Sequence, residues 1–353
     1  MGFLSKIYKK EYKSQYCIRT ILGIKITTKL NNKDNQTDNN EKYINYDNKI
    51  ENAICKTVEL TNLWNNIDMK KKIFKENVDS IEIGIFSYCN RKCWFCSNII
   101  VDRQSKNIIL EENLFLKLLK ELKEIDYDKT ICLHRYNEPL YDMDILLLRM
   151  KQIKEYLPKV KISIYTNGDY LTLDKLDLLN GYVDNIYITY YYNYAGKEIK
   201  FDIENVIKPG MQKLLDKLKL DYKLIYQDSA NYFLELKYDG IYVEYRSIDY
   251  TRIGTDRGGT IKDIEIHDRI AQCFLPNFQL VMDYDGNFTP CCHIRSDIDK
   301  HKPYILGNIK DNTIYDIFSN EKIVNLRKEL LLQNKKKGVC ATCSESRKWV
   351  NIF

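Results

Sequence analysis

A chain of 353 residues with a hydrophobic fraction of 44% suggests two domains, or one barrel with additions, and can fill a sizeable core. No run approaches the roughly 18 apolar residues that span a bilayer, and Met1–Lys10 holds three lysines and no long apolar stretch, so the expectation is a cytoplasmic chain without transmembrane segment or signal peptide. The net charge of +6 is carried by residues 1–30, where seven Lys and Arg face only Glu11; such a basic arm can touch a membrane surface or nucleic acid, but it reads first as a solvated terminal segment, and no nucleic-acid partner is expected.

Residues 1–50 read as a basic N-terminal segment and a polar linker. Within them Thr20–Ile26 is apolar enough for a short strand or hairpin, and 31–49 is an Asn/Asp/Lys tract. Residues 51–79 form a helical prelude, with Ile54, Val58, Leu60, Leu63, Ile67 and Ile73 on an approximate stripe. From residue 80 the pattern alternates. Strands are predicted near 81–87, 130–135, 160–166, 184–191, 222–227 and 241–247, and helices near 110–124, 143–156, 172–179, 203–219 and 230–238. Such alternation argues for βαβ units, a parallel sheet and, with right-handed crossovers, six strands curled into a partial barrel.

The first strand of that series runs into Cys89-Asn90-Arg91-Lys92-Cys93-Trp94-Phe95-Cys96, spaced C-x3-C-x2-C. Three thiols therefore lie on a loop at the carboxyl end of a strand, where α/β folds place their chemistry. A [4Fe-4S] cube normally takes four thiolates, so three leave one iron open. A structural zinc wants four closed ligands, and no His lies near. His134-Arg135-Tyr136-Asn137-Glu138-Pro139-Leu140 follows the second strand, and Tyr165-Thr166-Asn167-Gly168 the third. The first offers a carboxylate beside exposed carbonyls, suited to an ammonium; the second offers a tight turn with two hydrogen-bonding side chains. Thr189-Tyr190-Tyr191-Tyr192-Asn193 ends the fourth strand, and Thr255-Asp256-Arg257-Gly258-Gly259 follows the sixth.

These motifs resemble the radical S-adenosylmethionine (SAM) superfamily, whose signature is C-x3-C-x-aromatic-C, with Phe95 at the aromatic position. The resemblance covers about residues 80–260 and implies an α/β fold built as a partial (β/α)6 TIM-like barrel. It implies Cys89, Cys93 and Cys96 as cluster ligands. The open iron would chelate SAM, whose reductive cleavage gives a 5′-deoxyadenosyl radical that abstracts a substrate hydrogen. Phe95, Asn137, Glu138, Pro139, Thr166 and Asn167 are the implied cofactor-binding residues. Tyr136-Asn137 departs from the family's paired glycines. Arg135, Tyr190, Arg246 and Arg257 are candidate base or substrate groups.

Residues 261–353 hold a second cysteine set. Phe278–Pro290 reads as a hairpin around Asp285-Gly286, which brings Cys273 and Cys291 to one end; Cys340-x2-Cys343 arrives after Leu306-Gly307-Asn308-Ile309 and a helix over 313–333. Four thiolates suffice for a closed metal site, iron–sulfur or zinc. Cys292 is a neighbour that can replace Cys291, and His293 and His301 read as surface residues. This part resembles the small α+β SPASM/twitch extension of radical SAM enzymes, and Cys273, Cys291, Cys340 and Cys343 imply one auxiliary [4Fe-4S] cluster. The single-cluster spacing is similar to that of radical SAM dehydrogenases that oxidise a sugar-like alcohol. Oxidation of such a small molecule, for a surface glycan, is therefore the first expectation. Peptide thioether formation or epimerisation is the second, and a non-catalytic iron–sulfur or zinc scaffold the third. The enzyme readings imply a flavodoxin or ferredoxin as electron donor.

Overall fold

The computed structural model describes residues 65–345, together with the backbone of three strands near the N-terminus, β1 (Tyr8–Lys13), β2 (Tyr16–Ile21) and β3 (Ile24–Lys29). β2 and β3 form an antiparallel hairpin from Tyr16↔Lys29 to Ile21↔Ile24, as Thr20–Ile26 suggests. The linker over 31–49 and the prelude before residue 65 lie outside the described residues. The rest of the prelude is α1 (Ile67–Asn77), which buries Ile73 and Phe74 and starts where the Asn66 side chain accepts the Met69 N–H at 3.0 Å.

The main series is β4 (Ser80–Ile83), α2 (Glu112–Glu124), β5 (Thr130–Cys132), α3 (Met143–Tyr156), β6 (Lys161–Thr166), α4 (Leu173–Leu179), β7 (Asn185–Thr189), α5 (Lys208–Leu218), β8 (Tyr222–Gln227), β9 (Asn231–Leu236) and β10 (Tyr242–Ile248). After it come β11 (Gln279–Met282), β12 (Asn287–Thr289), β13 (Gly307–Asn308), α6 (Ile314–Ser319) and α7 (Glu321–Leu331). One sheet runs in the order β13-β12-β11-β4-β5-β6-β7-β10-β9-β8. Every pair from β11 to β10 is parallel; β12 and β13 at one end, and β9 and β8 at the other, are antiparallel.

The α/β architecture is the expected one, but the membership of the parallel strands differs in two places. Residues 230–238, predicted helical, form β9: Tyr232, Leu234 and Leu236 are buried on one face while their neighbours are not, a period of two rather than 3.6. Tyr222–Gln227 is then the outer arm of an antiparallel hairpin, and all six of its residues are exposed. The sixth parallel strand is β11, from the C-terminal segment, which pairs with β4 from Gln279↔Ser80 to Met282↔Ile83. Gly84 allows this approach, since a β-carbon there would stand 3.0 Å from the Tyr284 nitrogen. The predicted helix over 313–333 is two helices, α6 and α7, joined at Asn320.

Alternation along the parallel strands sorts their side chains. Ile81, Ile83, Ile131, Leu133, Ile162, Ile164, Ile186, Ile188, Val243 and Tyr245 are buried in one core with Leu118, Leu122, Met150, Ile153 and Leu215 of the helices. The intervening residues Glu82, Cys132, Ser163, Tyr165, Tyr187, Glu244 and Arg246 therefore face the opposite, concave side, which is polar. Among the described residues no helix is long and apolar enough to cross a membrane.

Candidate active site

Three loops meet at the carboxyl ends of β4, β5 and β6. The first carries Cys89, Cys93 and Cys96. Cys89 N–H donates to the Arg103 carbonyl at 3.1 Å, Trp94 N–H to the Tyr194 carbonyl at 3.1 Å, and Cys96 opens the 3-10 turn Ser97–Ile99. Phe95 stacks on Tyr250 with ring centroids 4.1 Å apart and lies 5.2 Å from Tyr191, an aromatic group backing the thiols. Burial pushes Cys89 up to about 12 and raises Cys93 as well, and the charges of the neighbouring thiols add to the rise in both. Cys89 and Cys93 are therefore held as thiols until a metal displaces their protons.

The first loop is fastened to the third. Asp169 accepts from Asn90 Nδ2 at 2.7 Å and from Arg91 Nε at 2.8 Å, and Asn167 Nδ2 donates to Asn90 Oδ1 at 2.8 Å. Gly168 turns this loop at φ +80°, with Ile188 Cγ2 only 3.0 Å from where a β-carbon would be. Glu138 joins the second loop to the third. Its Oε1 accepts the Thr166 hydroxyl at 2.5 Å and the Leu140 N–H at 3.2 Å, and its Oε2 accepts the Asn167 N–H at 2.8 Å. Burial lifts Glu138 to about 7 against the opposing pull of these three bonds. Its carboxylate therefore organises the turns, and both oxygens have partners within the chain. Asn137 is buried, accepts the Arg135 N–H through Oδ1 at 2.7 Å, and leaves Nδ2 without a partner. Tyr136, where the family has Gly, has a left-handed backbone at φ +57°.

The concave face of the sheet continues from these loops. Tyr165 and Tyr187 stack at 4.7 Å, and the Arg246 guanidinium lies over both rings at 5.3 and 5.4 Å. Arg246 Nη1 donates to Glu244 Oε1 at 3.1 Å. His134 faces Tyr165 at 5.6 Å; burial and then the Arg135, Arg257 and Arg246 charges bring it down to about 3, so the imidazole is neutral. This tyrosine–arginine–histidine wall escaped the sequence reading except for Arg246. Its signal was present in the strand alternation, as the positions opposite the apolar ones.

The second cysteine set converges too. Cys273, Cys291, Cys340 and Cys343 line one small cavity together with Arg269, and Cys292 is not among its lining residues. Burial pushes Cys340 and Cys343 each up to about 12. Among the described residues no three His, Cys, Asp or Glu side chains close on one point as a single ion requires. A four-iron cube is held differently, each thiolate taking its own iron, so that the sulfurs stand apart. The donor sets at both ends of the chain, three thiols in one place and four in the other, suit such a cube.

Several candidate residues have other roles. Arg135 has its Nη1 3.8 Å from Glu82 Oε2 of the concave side, but its closer partners are in the C-terminal segment. It is buried, with Nε 2.5 Å from Asp283 Oδ1, Nη2 3.0 Å from Thr289 Oγ1, and a further bond to the Ile294 carbonyl, so it clamps the C-terminal segment to the barrel. Tyr190 turns toward the helices, where a β-carbon on Gly210 of α5 would collide with its hydroxyl. Arg257, at φ +48°, lies 3.3 Å from His293 Nδ1 and keeps a buried Nε without a hydrogen-bond partner. His293 and His301, expected at the surface, are buried: His293 Nε2 meets Glu345 Oε2 at 2.7 Å, and His301 lies between Gly258 and Arg295. Cys132 is a buried thiol.

Residues 61–191 match the family model of the radical SAM superfamily, and residues 273–344 match that of the iron-sulfur cluster-binding domain called SPASM. The chain is a radical SAM protein with a C-terminal SPASM-type domain. Its cofactors are accordingly a [4Fe-4S] cluster with SAM, and an auxiliary cluster. It is similar to the S-adenosyl-L-methionine-dependent 2-deoxy-scyllo-inosamine dehydrogenase of Niallia circulans, at 27% identity over 267 residues, covering 75% of this chain and 92% of that protein. A crystal structure of BtrN in complex with AdoMet and 2-DOIA has 26% identity and a TM-score of 0.54, covering 76% of this chain and 94% of the other. BtrN with selenomethionine, in an open conformation, aligns at 23% identity over 77% of this chain and 92% of that one, with a TM-score of 0.48.

Proposed function

We propose that this radical SAM enzyme oxidises a carbinol of a polyhydroxylated, sugar-like small molecule in the cytoplasm, with a flavodoxin or ferredoxin as electron donor. The observation that carries the reading is the polar concave wall of Tyr165, Tyr187, Arg246, Glu244 and His134 leading to the Cys89–Cys96 loop. Stacked tyrosine rings suit the apolar face of a sugar-like ring, and the guanidinium, carboxylate and imidazole suit its hydroxyls. Similarity to a dehydrogenase of a cyclic amino alcohol supports the same substrate class. In this reading Cys89, Cys93 and Cys96 hold the SAM cluster, and Cys273, Cys291, Cys340 and Cys343 hold the auxiliary one. The cluster and SAM, when bound, supply the carbon radical that removes the carbinol hydrogen, and the auxiliary cluster supplies an electron acceptor.

The chain's own residues then position and shield. Glu138 fixes the two turns that bracket the thiols, and Phe95, Tyr191 and Tyr250 exclude water behind them. Among the described residues the Asn137 amide and the Arg257 Nε are two of the buried donors without a hydrogen-bond partner, as are Arg91 Nη1 and Trp94 Nε1 on the cysteine loop, and these are candidates for SAM or substrate. Residues 80–260 supply the SAM-cleaving barrel apart from β11, which 261–353 adds to the sheet along with the auxiliary cluster ligands. The test is anaerobic reconstitution with iron and sulfide, followed by dithionite, SAM and a panel of amino- and deoxy-inositols deuterated at each carbinol. About eight irons, with deuterium carried into 5′-deoxyadenosine and a ketone formed, are expected. Turnover with a peptide but with no member of the panel would overturn the substrate class.

A further inference from the structure

Two cations are buried beside the four-cysteine cavity, and among the described residues neither forms an ion pair. Arg269 is 8% exposed and Lys336 is 2% exposed. Every contact of the Arg269 guanidinium is to a carbonyl: Nε to Ala271 at 3.1 Å, Nη1 to Cys343 at 3.0 Å and Glu345 at 2.6 Å, and Nη2 to Gln272 at 2.6 Å. Lys336 Nζ donates to the Glu329 carbonyl at 3.1 Å and to the Leu332 carbonyl. Carbonyl dipoles satisfy the hydrogen bonds without cancelling the charge, and a buried cation is costly unless an anion stands near.

The chain holds Arg269 against the cysteine loop and the Lys336 backbone against Arg269. Arg269 N–H donates to the carbonyl of Ala341, between Cys340 and Cys343, at 2.7 Å. Lys336 N–H donates to the Arg269 carbonyl at 2.9 Å, and Cys273 N–H to the Leu330 carbonyl at 3.1 Å. Arg269 lines the cavity itself. The Glu329 charge acts on Lys336, and so do those of Cys273 and Cys340, while Arg269 acts on Cys273, Cys340 and Cys343; the anion that the two cations share is the thiolate set, whose four charges exceed those of the iron–sulfur core they bind. Reduction adds one more negative charge, so a fixed cation nearby favours the reduced state.

We propose that Arg269 and Lys336 are the counter-charges of the auxiliary cluster and raise its reduction potential. The proposal rests on Cys273, Cys291, Cys340 and Cys343 being the cluster ligands. It is tested in the full chain carrying Cys89→Ala, Cys93→Ala and Cys96→Ala, so that the auxiliary cluster alone gives a paramagnetic signal on reduction. Lys336→Gln and Lys336→Arg carry the test, because Arg269 also fastens the loops. Redox titration of K336Q, followed by electron paramagnetic resonance, is expected to show reduction about tenfold less favourable, a fall of about 59 mV for one electron. K336R is expected to titrate like its parent. If K336Q does not take up iron, K336M, which keeps the lysine stem, takes its place with the same expectation. An unchanged potential with full iron content overturns the proposal, as does a K336R shift equal to that of K336Q. A parent that binds no iron overturns the ligand assignment instead, a result seen before any potential is measured.

Discussion

The phenol of Tyr136 donates to the main-chain carbonyl of Cys292 at 2.8 Å, tying the turn after β5 to the second cysteine group. The ring lies 5.4 Å from the Arg135 guanidinium and 4.5 Å from that of Arg295. A left-handed backbone costs a non-glycine residue about 1 kcal/mol or more, so the side chain offsets a local strain.

Tyr136→Phe is therefore expected to lose about 1 kcal/mol through the missing hydrogen bond. Tyr136→Gly relieves the backbone but loses the ring between two guanidinium groups, and is expected to be less stable than the Phe variant. Urea unfolding of the two variants and the parent decides the order. A Gly variant more stable than the parent would mean that the ring holds nothing together.

Arg135 and Arg246, both offered by the sequence as substrate groups, should separate cleanly. Removing the Arg135 side chain leaves Asp283 buried without its cation, which costs roughly 3–5 kcal/mol. Arg135→Met is thus expected to unfold at much lower denaturant or to fail to accumulate. Arg246→Met removes a guanidinium from the concave wall, where Glu244 keeps the Tyr242 hydroxyl as a partner. It is expected to keep most of its stability and its iron while losing substrate-dependent deoxyadenosine formation. The reverse pattern in thermal melts and turnover would exchange the two roles.

The contrast shows what the sequence could and could not reveal. The cysteine spacing, the Asn137-Glu138-Pro139 and Thr166-Asn167-Gly168 turns and the later cysteines are local patterns, and the fold gathers them where strand ends meet. Arg135 is adjacent in sequence to the implied SAM residues, but its partner Asp283 is 148 positions away, a pairing no local window contains. The β9 segment failed for another reason. Tyr232, Phe233, Leu234 and Leu236 are consistent with either period, and pairing with β8 and β10 on both sides selects the strand. His134 and Tyr165 were within quoted motifs, yet their place on the wall follows from which face of each strand the core takes.

Glu138 should make stability depend on pH in the direction opposite to an ordinary salt-bridged acid. Its folded value of about 7 lies above the ordinary 4.5, so between these limits the folded chain holds a proton that the unfolded chain releases. The contribution is complete below about pH 4.5 and is lost as the pH rises through about 7, amounting to roughly 3 kcal/mol. Glu138→Gln removes the ionisation and keeps an acceptor for the Thr166 hydroxyl. Unfolding midpoints measured from about pH 5.5 to 8 should fall with pH more steeply in the parent than in the variant. Parallel curves would show that Glu138 stays charged throughout.

Cys291 and Cys292 are neighbours in sequence, and the cavity separates them. Cys291 lines it with Cys273, Cys340 and Cys343, whereas Cys292 offers its carbonyl to Tyr136. A loop can present one of two adjacent side chains to a given point, since successive side chains point in different directions. Cys291→Ala is therefore expected to cost the auxiliary cluster, about four irons, and to leave SAM cleavage by the Cys89–Cys96 loop measurable as slow deoxyadenosine formation. Cys292→Ala is expected to keep the full iron content and its visible absorption. Loss of four irons from the Cys292 variant, with retention in the Cys291 variant, would make Cys292 the ligand and would require the loop to rotate by one residue on metal binding.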